Sequence, residues 1–354
     1  MSVVDFTRVP FQNPEIPGHQ RPTLLYDAEG RCFALRSNLP RFILEEILPE
    51  LARTIPDLMS RTLVLRIKRE KNNRGLHEFT LYGYDRQCAG MIKTPGFEGD
   101  GENGKVFWDF YLEGSALERL TKHAARLLEL YFPRIVARML EVNARIKAEY
   151  GLDCPFIYWW NLCINAPIPS EGIHRVMCRP HVDAQNGALL LCAVFVYYYG
   201  KVPNRHEREH VWLVLWEAGI VIEIPVGVFL FYPSALFLHF NVDIRDLNKA
   251  QFYYTQGDEP PTKENLKPLS CDNSAEGGRA SIVWFTQASM LQSADLPEGV
   301  HTMGQAKAME KAAQSQAPRT EPYYVTSYNA AEALANGIFP LKSVLEPSLQ
   351  VDID

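Results

Sequence analysis

The chain has 354 residues, 47% of them hydrophobic and 22% charged, enough for one decorated domain or two and the balance of a soluble globular enzyme. Its net charge of −6 gives no overall pull toward nucleic acid. Seven cysteines, an odd number with no C-x-x-C pair, argue against a disulfide framework and a zinc knuckle and for a reducing compartment, cytosol or nucleus.

Residues 1 to about 30 are rich in Pro, Asn and Gln and predict an irregular surface arm, without the basic-then-apolar pattern of a leader. A helix is expected from Pro40 to about Ile55. Thr62 to Lys68 alternates, with Leu63, Leu65 and Ile67 on one face, which predicts a half-buried strand. Around it, Arg61, Arg66, Lys68, Arg69, Lys71 and Arg74 stand against Glu70; a solvated strand face is the reading, with a phosphate-binding edge as the functional alternative. Glu78 to Tyr84 is a second strand. Residues 94–104 form an acidic, Gly-rich loop, and with no helix expected behind Gly99, Gly101 and Gly104 it is no phosphate cradle.

Ser115 and Glu118 form a capping box ahead of a long amphipathic helix whose apolar face is Leu117, Leu120, Ala124, Leu127, Leu128 and Tyr131. Pro133 breaks or kinks it, and a second helical stretch runs from Arg134 to about Tyr150. From Phe156 the chain turns to short runs rich in Val, Ile, Phe, Tyr and Trp: FIYWWNLCIN, GALLLCAVFVYYY, VWLVLWEAGIVIEI, GVFLFYP and ASIVWFTQ. Gly, Pro and Asn separate them, the pattern of an all-β sandwich or jelly roll. The longest apolar run, Ala188 to Tyr199, is too short to cross a bilayer. The expected layout is α+β with a mainly β core. An N-terminal α+β extension, 1–150, packs long helices on a double-stranded β-helix (jelly-roll) core, 151–295, which a polar insertion, 245–278, interrupts. A C-terminal extension, 296–354, follows, with a short helix at 306–314.

The chemistry concentrates in that core. His181 and Asp183 are two residues apart, so on an extended strand both side chains share a face. His239 follows 56 residues after Asp183, and the intervening strands can return it to the pair. An isolated H-x-D is common by chance, and alone His181 would read as a satisfied loop histidine. Two imidazoles with one carboxylate are, however, the ligand set of a mononuclear non-haem iron site with open positions. Arg279, on a later strand, offers a guanidinium fork that matches a small dicarboxylate.

Further segments strengthen this. Gly227, an apolar strand, Pro233-Ser234 and then His239 resemble the corresponding segment of the Fe(II)- and 2-oxoglutarate-dependent dioxygenase superfamily. GRASIVWF, residues 278–285, resembles its later arginine-bearing strand, and Asn161 in WWNLCINAPIP resembles an Asn or Tyr position on its first core strand. The order Asn, H-x-D, His, R-x-S is the family's, over about residues 156–290. The resemblance implies that His181, Asp183 and His239 hold Fe(II). It implies that Arg279 and Ser281 anchor the distal carboxylate of 2-oxoglutarate, that Asn161 touches the same co-substrate, and that succinate and CO2 leave as co-products while an unidentified substrate is hydroxylated or oxidised. One departure stands out. Arg279 follows His239 by 40 residues, later than the family's arginine, and the 245–278 insertion accounts for the gap. Arg245 competes by position, but in NVDIRDL it more readily pairs with Asp243 or Asp246. The insertion is expected to begin beside the metal and return beside the anchor, as a lid or as a plain surface excursion.

Other readings stay open. H-V-D-A-Q-N resembles the H-x-D-x-x-N stretch of methylcytosine-oxidising dioxygenases and, with the basic run, keeps a nucleic-acid methyl-base substrate as an alternative that the pI of about 5.9 does not favour. His206-Glu207-x-x-His210 satisfies the zinc-peptidase H-E-x-x-H pattern. Pro203 and Asn204 just upstream and the strand pattern VWLVLW just downstream favour a charged hairpin tip instead. A jelly-roll binding protein without turnover is the third alternative. Trp159, Trp160 and Tyr197 to Tyr199 are expected in the core or in cross-strand pairs rather than lining a pocket.

Overall fold

Continuous apolar strands in the second half of the chain, joined by strands from the first third, build two sheets with a cavity between them. The computed structural model describes residues 6–11, 21–62, 74–88, 91–93, 102–200, 210–245, 278–291 and 334–349. The N-terminal part holds β1 (Thr7–Val9), β2 (Thr23–Tyr26), β3 (Cys32–Arg36), a π-helical turn at Ile43–Ile47, α1 (Leu48–Arg61), β4 (Glu78–Gly83), β5 (Asp85–Cys88) and β6 (Met91–Lys93). Helices α2 (Glu102–Phe110), α3 (Ala116–Tyr131) and α4 (Pro133–Tyr150) follow. The strands β7 (Asn161–Ala166), β8 (Cys192–Tyr198), β9 (Val211–Leu215), β10 (Ile220–Glu223), β11 (Phe229–Tyr232), β12 (His239–Asp243) and β13 (Arg279–Phe285) come next, and α5 (Lys342–Leu349) last.

The larger sheet has seven strands in the order β2-β3-β11-β8-β13-β7-β4, every neighbour antiparallel. The smaller runs β1-β10-β9-β12, with β1 parallel to β10 and the rest antiparallel. The protein is thus mixed α+β with most of its framework in sheets. Strands from the first third of the chain extend the same large sheet that the later strands form.

Period-two geometry divides the two faces of β13. Trp284 turns to the helices, and its indole N–H donates to Thr121 Oγ1 of α3 at 3.0 Å. Arg279, Ser281, Val283 and Phe285 turn to the cavity. On the helical side, Leu51, Ile55 and Leu58 of α1 and Leu117, Leu120 and Leu128 of α3 bury their apolar stripes in the core shared with β8, β11 and β13. The cap of α3 forms as expected: Ser115 Oγ accepts from the Glu118 N–H at 3.3 Å. The Glu118 carboxylate reaches back to the Gly114 N–H rather than to that of Ser115. Pro133 breaks the helix outright and opens α4 at a position where its missing N–H costs nothing.

Several expectations change. The N-terminal arm is not wholly irregular. Thr7–Val9 pairs with β10, and Thr23–Tyr26 with β3. The Arg36 guanidinium fixes the arm by donating to the Val9, Pro10 and Glu223 carbonyls. The first helix continues to Arg61. The chain after Gly101 does form a helix, α2, because Phe107 and Phe110 lie one turn apart, with Phe107 fully buried and stacked on Tyr82 at 3.8 Å between ring centroids. Gly99 and Gly101 lie outside the described residues, as do the helix expected at 306–314 and, apart from Thr62, the strand expected at Thr62 to Lys68; Thr62 itself caps α1, its N–H on the Leu58 carbonyl. Residues 156–160 are turns rather than strand, with Trp159 and Trp160 fully buried as core.

Gly83 ends β4 where that strand passes closest to the turn before β7. Its φ is +113°, and a Cβ there would stand 2.0 Å from the Trp160 carbonyl oxygen. Both faults are backbone faults that side-chain motion cannot relieve. Gly83→Ala is expected to cost about 3 kcal/mol of stability in a denaturant titration, at the upper end of ordinary substitutions. An unchanged midpoint would mean that β4 shifts freely.

Candidate metal centre

His181 and His239 meet through their main chains. The His181 N–H donates to the His239 carbonyl at 3.1 Å and the His239 N–H to the His181 carbonyl at 2.9 Å. His239 opens β12. His181 makes this single antiparallel bridge instead of sitting in a regular strand, because Pro180 precedes it and a turn closed by the Asn186 N–H on the Asp183 carbonyl follows. Asp183 is fixed by its own N–H on the Ser234 carbonyl, 3.2 Å. The strand expected for H-x-D is replaced by bridge and turn, yet both side chains still reach one point.

The geometry there is that of a ligand set. His181 Nδ1 lies 2.7 Å from the Arg179 carbonyl and His239 Nδ1 lies 2.9 Å from the Phe237 carbonyl. A carbonyl only accepts, so each Nδ1 carries the proton and each Nε2 presents a lone pair. Those Nε2 atoms are each 3.9 Å from a carboxylate oxygen of Asp183, one from Oδ1 and the other from Oδ2. One ligand atom from each of the three residues lies within 4.8 Å of the others, the single such His/Cys/Asp/Glu cluster among the described residues. Burial, and then His239, push the His181 imidazole down to about 3 against the pull of Asp183, and burial lowers His239 as well. Both rings are therefore neutral at pH 7, the form that ligates. Burial alone would raise the Asp183 carboxyl. Arg74, the largest opposing influence, outweighs it and holds it below the usual range. Two nitrogen lone pairs and one carboxylate on one side, with open space opposite, fit a divalent first-row metal.

The cavity in front of these three residues is lined from both sheets, by Leu213, Ile224 and Asn241 on one side and by Val194, Arg279 and Ser281 on the other. Arg279 is 5% exposed, and its Nη1 donates to the Val176 carbonyl at 3.4 Å. Ser281 Oγ accepts from Asn165 Nδ2 at 3.1 Å. Asn161 does not line the cavity. Its side-chain amide donates to the Tyr84 carbonyl at 2.8 Å, and Asn165, four residues along the same strand face, stands in the lining instead.

Arg245 is engaged elsewhere, as its sequence neighbours suggested. Its Nε and Nη2 chelate Asp243 at 2.9 and 2.5 Å, and Arg175 Nη1 reaches the same carboxylate at 3.0 Å. Burial would raise the Asp243 carboxyl, but hydrogen bonds from Arg245 and then Arg175 dominate and hold it at about 2. A depressed carboxyl contributes stability above its unfolded pKa of about 3.9 and loses it as pH falls. Asp243→Asn is therefore expected to cost about 2 kcal/mol at neutral pH and to flatten the stability loss between pH 4 and 2. An unchanged acid limb in pH-dependent melts would refute this.

Residues 246–277, most of the insertion, lie outside the described residues. Its two ends do lie side by side: Arg175 pairs with Asp243 before it, and the Val176 N–H donates to the Arg279 carbonyl after it, 2.7 Å. Of the rival zinc motif, His206 and Glu207 lie outside the described residues, and His210 is exposed just before β9. The five described cysteine side chains are free thiols. No described helix is long and apolar enough to cross a membrane.

Among the lining residues not anticipated as part of the site are Arg74, His77, Asn165, Asn186 and Asn241. Arg74 and His77 stand just ahead of β4, where no periodicity marks them. His77 is buried and pushed down to about 4, mainly by burial, so it is neutral. Asn186 did carry a signal, the third residue after Asp183. Its Nδ2 donates to Ser234 Oγ at 3.1 Å and, more weakly, to Asp183 Oδ2 at 3.4 Å.

Fold and site together define a mixed α+β protein with a His–Asp–His metal-binding constellation between its sheets. No family model and no curated protein matches the chain. Solved structures do. NgTET1 in complex with 5mC DNA aligns over 87% of this chain and 91% of that one, with a TM-score of 0.47 and 14% identity. A 2OG-Fe(II) oxygenase family oxidoreductase from Burkholderia pseudomallei aligns over 71% and 84%, with a TM-score of 0.31 and 10% identity. A prolyl-4-hydroxylase from Pseudomonas putida aligns over 73% and 94%, with a TM-score of 0.31 and 10% identity. Likeness at this level carries no function by itself, and the chemistry of the site has to.

Proposed function

We propose that this chain is an Fe(II)- and 2-oxoglutarate-dependent oxygenase with a double-stranded β-helix core. The observation that carries the reading is one cavity holding both a His181–Asp183–His239 ligand set and, on the facing sheet, the buried pair Arg279 and Ser281. The triad alone suits zinc as well as iron. A buried guanidinium with a hydroxyl beside it on the opposite wall matches the far carboxylate of a dicarboxylate co-substrate, and that favours the iron reading. The bound metal would supply dioxygen activation, coupled to decarboxylation of 2-oxoglutarate to succinate and CO2.

The protein's own residues do the rest. His181 and His239 stay neutral and aimed because the Arg179 and Phe237 carbonyls take their Nδ1 protons. Arg279 and Ser281 are the groups we assign to the distal carboxylate, with Asn165 orienting the Ser281 hydroxyl and so taking the place first expected for Asn161. Val194, Leu213, Ile224 and Val283 exclude water from the cavity.

One observation favours a narrower reading. Asn186 completes H-x-D-x-x-N and stands in the cavity lining beside Asp183, which keeps methyl-base oxidation in nucleic acid as the second candidate. The test is reconstitution of the full chain with Fe(II), followed by succinate release from 2-oxoglutarate in air, alone and with a methylated oligonucleotide. Slow succinate formation without substrate is expected. Faster, coupled formation with the oligonucleotide would select the narrower reading. Bound iron with no succinate would leave a binding protein. Zinc-dependent peptidase activity lost in Glu207→Gln would replace the proposal.

A further inference from the structure

Arg74 is the charged group in the cavity that the proposed reaction leaves unused. Its Nη2 lies 2.7 Å from Asp183 Oδ1, and its side chain is 47% exposed. Its backbone is tied down, because the Arg179 N–H donates to the Arg74 carbonyl at 2.8 Å, two residues before His181. The main chain is thus held against the segment carrying a ligand, and the partly exposed side chain reaches the ligand carboxylate from there. Arg279 is the opposite case, nearly wholly buried on a strand, an anchor that stays put.

A guanidinium and a divalent cation compete for Asp183. Each draws on the same carboxylate charge, and in a largely enclosed site the two positive centres repel. The conflict is relieved when a carboxylate enters beside the metal, since it neutralises excess charge and offers the guanidinium fork a better-matched partner. Resting on the function proposed above, we infer that Arg74 makes metal retention depend on an anionic co-ligand. It holds Asp183 when no such anion is present and transfers to the anion's carboxylate when one binds. Linkage makes this reciprocal: whatever the co-substrate adds to metal affinity, the metal adds to co-substrate affinity.

The probe is Mn(II), redox-silent and visible by electron paramagnetic resonance, titrated into chelator-stripped full-length protein with and without 2-oxoglutarate. Arg74→Met is expected to bind Mn(II) about tenfold more tightly than the wild type in the absence of 2-oxoglutarate, and to lose about tenfold of the tightening that 2-oxoglutarate brings. Arg74→Lys, which keeps the charge without the fork, should fall between them. Arg74→Gln, with melting curves on every variant, guards against a folding artefact. Equal Mn(II) affinity and equal coupling in the wild type and Arg74→Met, or weaker binding in the variant, would overturn the role of Arg74 alone. No Mn(II) binding by any of these proteins would overturn the metal centre itself and this inference with it.

Discussion

Asp183→Ala is expected to abolish tight metal binding and to leave the fold in place. Asp183 is the one anionic member of the ligand set, and without it two neutral imidazoles face the ion beside the Arg74 cation. Loss of a group that merely orients a ligand already costs 10–100-fold in metal affinity, so loss of the charged ligand itself should cost about 100-fold or more. The fold should survive because the surrounding ties are main-chain: Asp183 N–H to the Ser234 carbonyl and the paired bonds between His181 and His239. Asn186 keeps its bond to Ser234. His181→Ala should behave likewise, since its main-chain bridge does not need the ring. Metal content after dialysis, with a melting curve beside it, checks both. Stoichiometric metal retained in Asp183→Ala would remove the carboxylate from the site.

Arg279→Leu is expected to raise the dissociation constant for 2-oxoglutarate by about 100-fold or more while leaving metal affinity nearly unchanged. Truncating one partner of a buried charge pair costs about 2–5 kcal/mol, and each 1.4 kcal/mol is tenfold. Leucine fills most of the same space on β13, so the strand should persist, paired as before with β7 and β8. Arg245→Leu serves as the control. That side chain is occupied by Asp243, so its loss should touch stability and not co-substrate binding. The reverse pattern, loss with Arg245→Leu and none with Arg279→Leu, would put the anchor on the wrong strand.

Much of this protein was legible in local chemistry. The capping residue Ser115, the helix break at Pro133 and the apolar runs that become β8, β9, β11 and β13 each depend on neighbours within a few positions, which is the range over which propensity and periodicity act. The triad residues were legible because the chemistry restricts them to few residue types in a recognisable order. The pairing of Arg245 was legible on the same basis, since its partner Asp243 is two residues away.

The rest needed distance in three dimensions. Helix α2 was hidden because its opening residues, Glu102-Asn103-Gly104, include two poor helix formers, and the support comes from Tyr82 and Phe156, which pack on Phe107 from other elements. H-x-D was expected on a strand, but the bridge to His239, 58 residues along from His181, holds it and leaves the next residues free to turn. Asn161 and Asn165 share one strand face, so alternation could not choose between them. The choice belongs to where the smaller sheet closes over the larger, which leaves Asn165 inside the cavity and Asn161 beyond its end. Arg74 stood in the sequence only as one member of a basic run, and its pairing with Asp183, more than a hundred residues away along the chain, is a contact no local pattern spans. The sequence by itself determined which imidazole, carboxylate and guanidinium groups were candidates: His181, Asp183, His239 and Arg279. Tertiary packing decided which of them share a cavity, because that depends on how two sheets face each other and not on anything within a turn or a strand of the residue concerned.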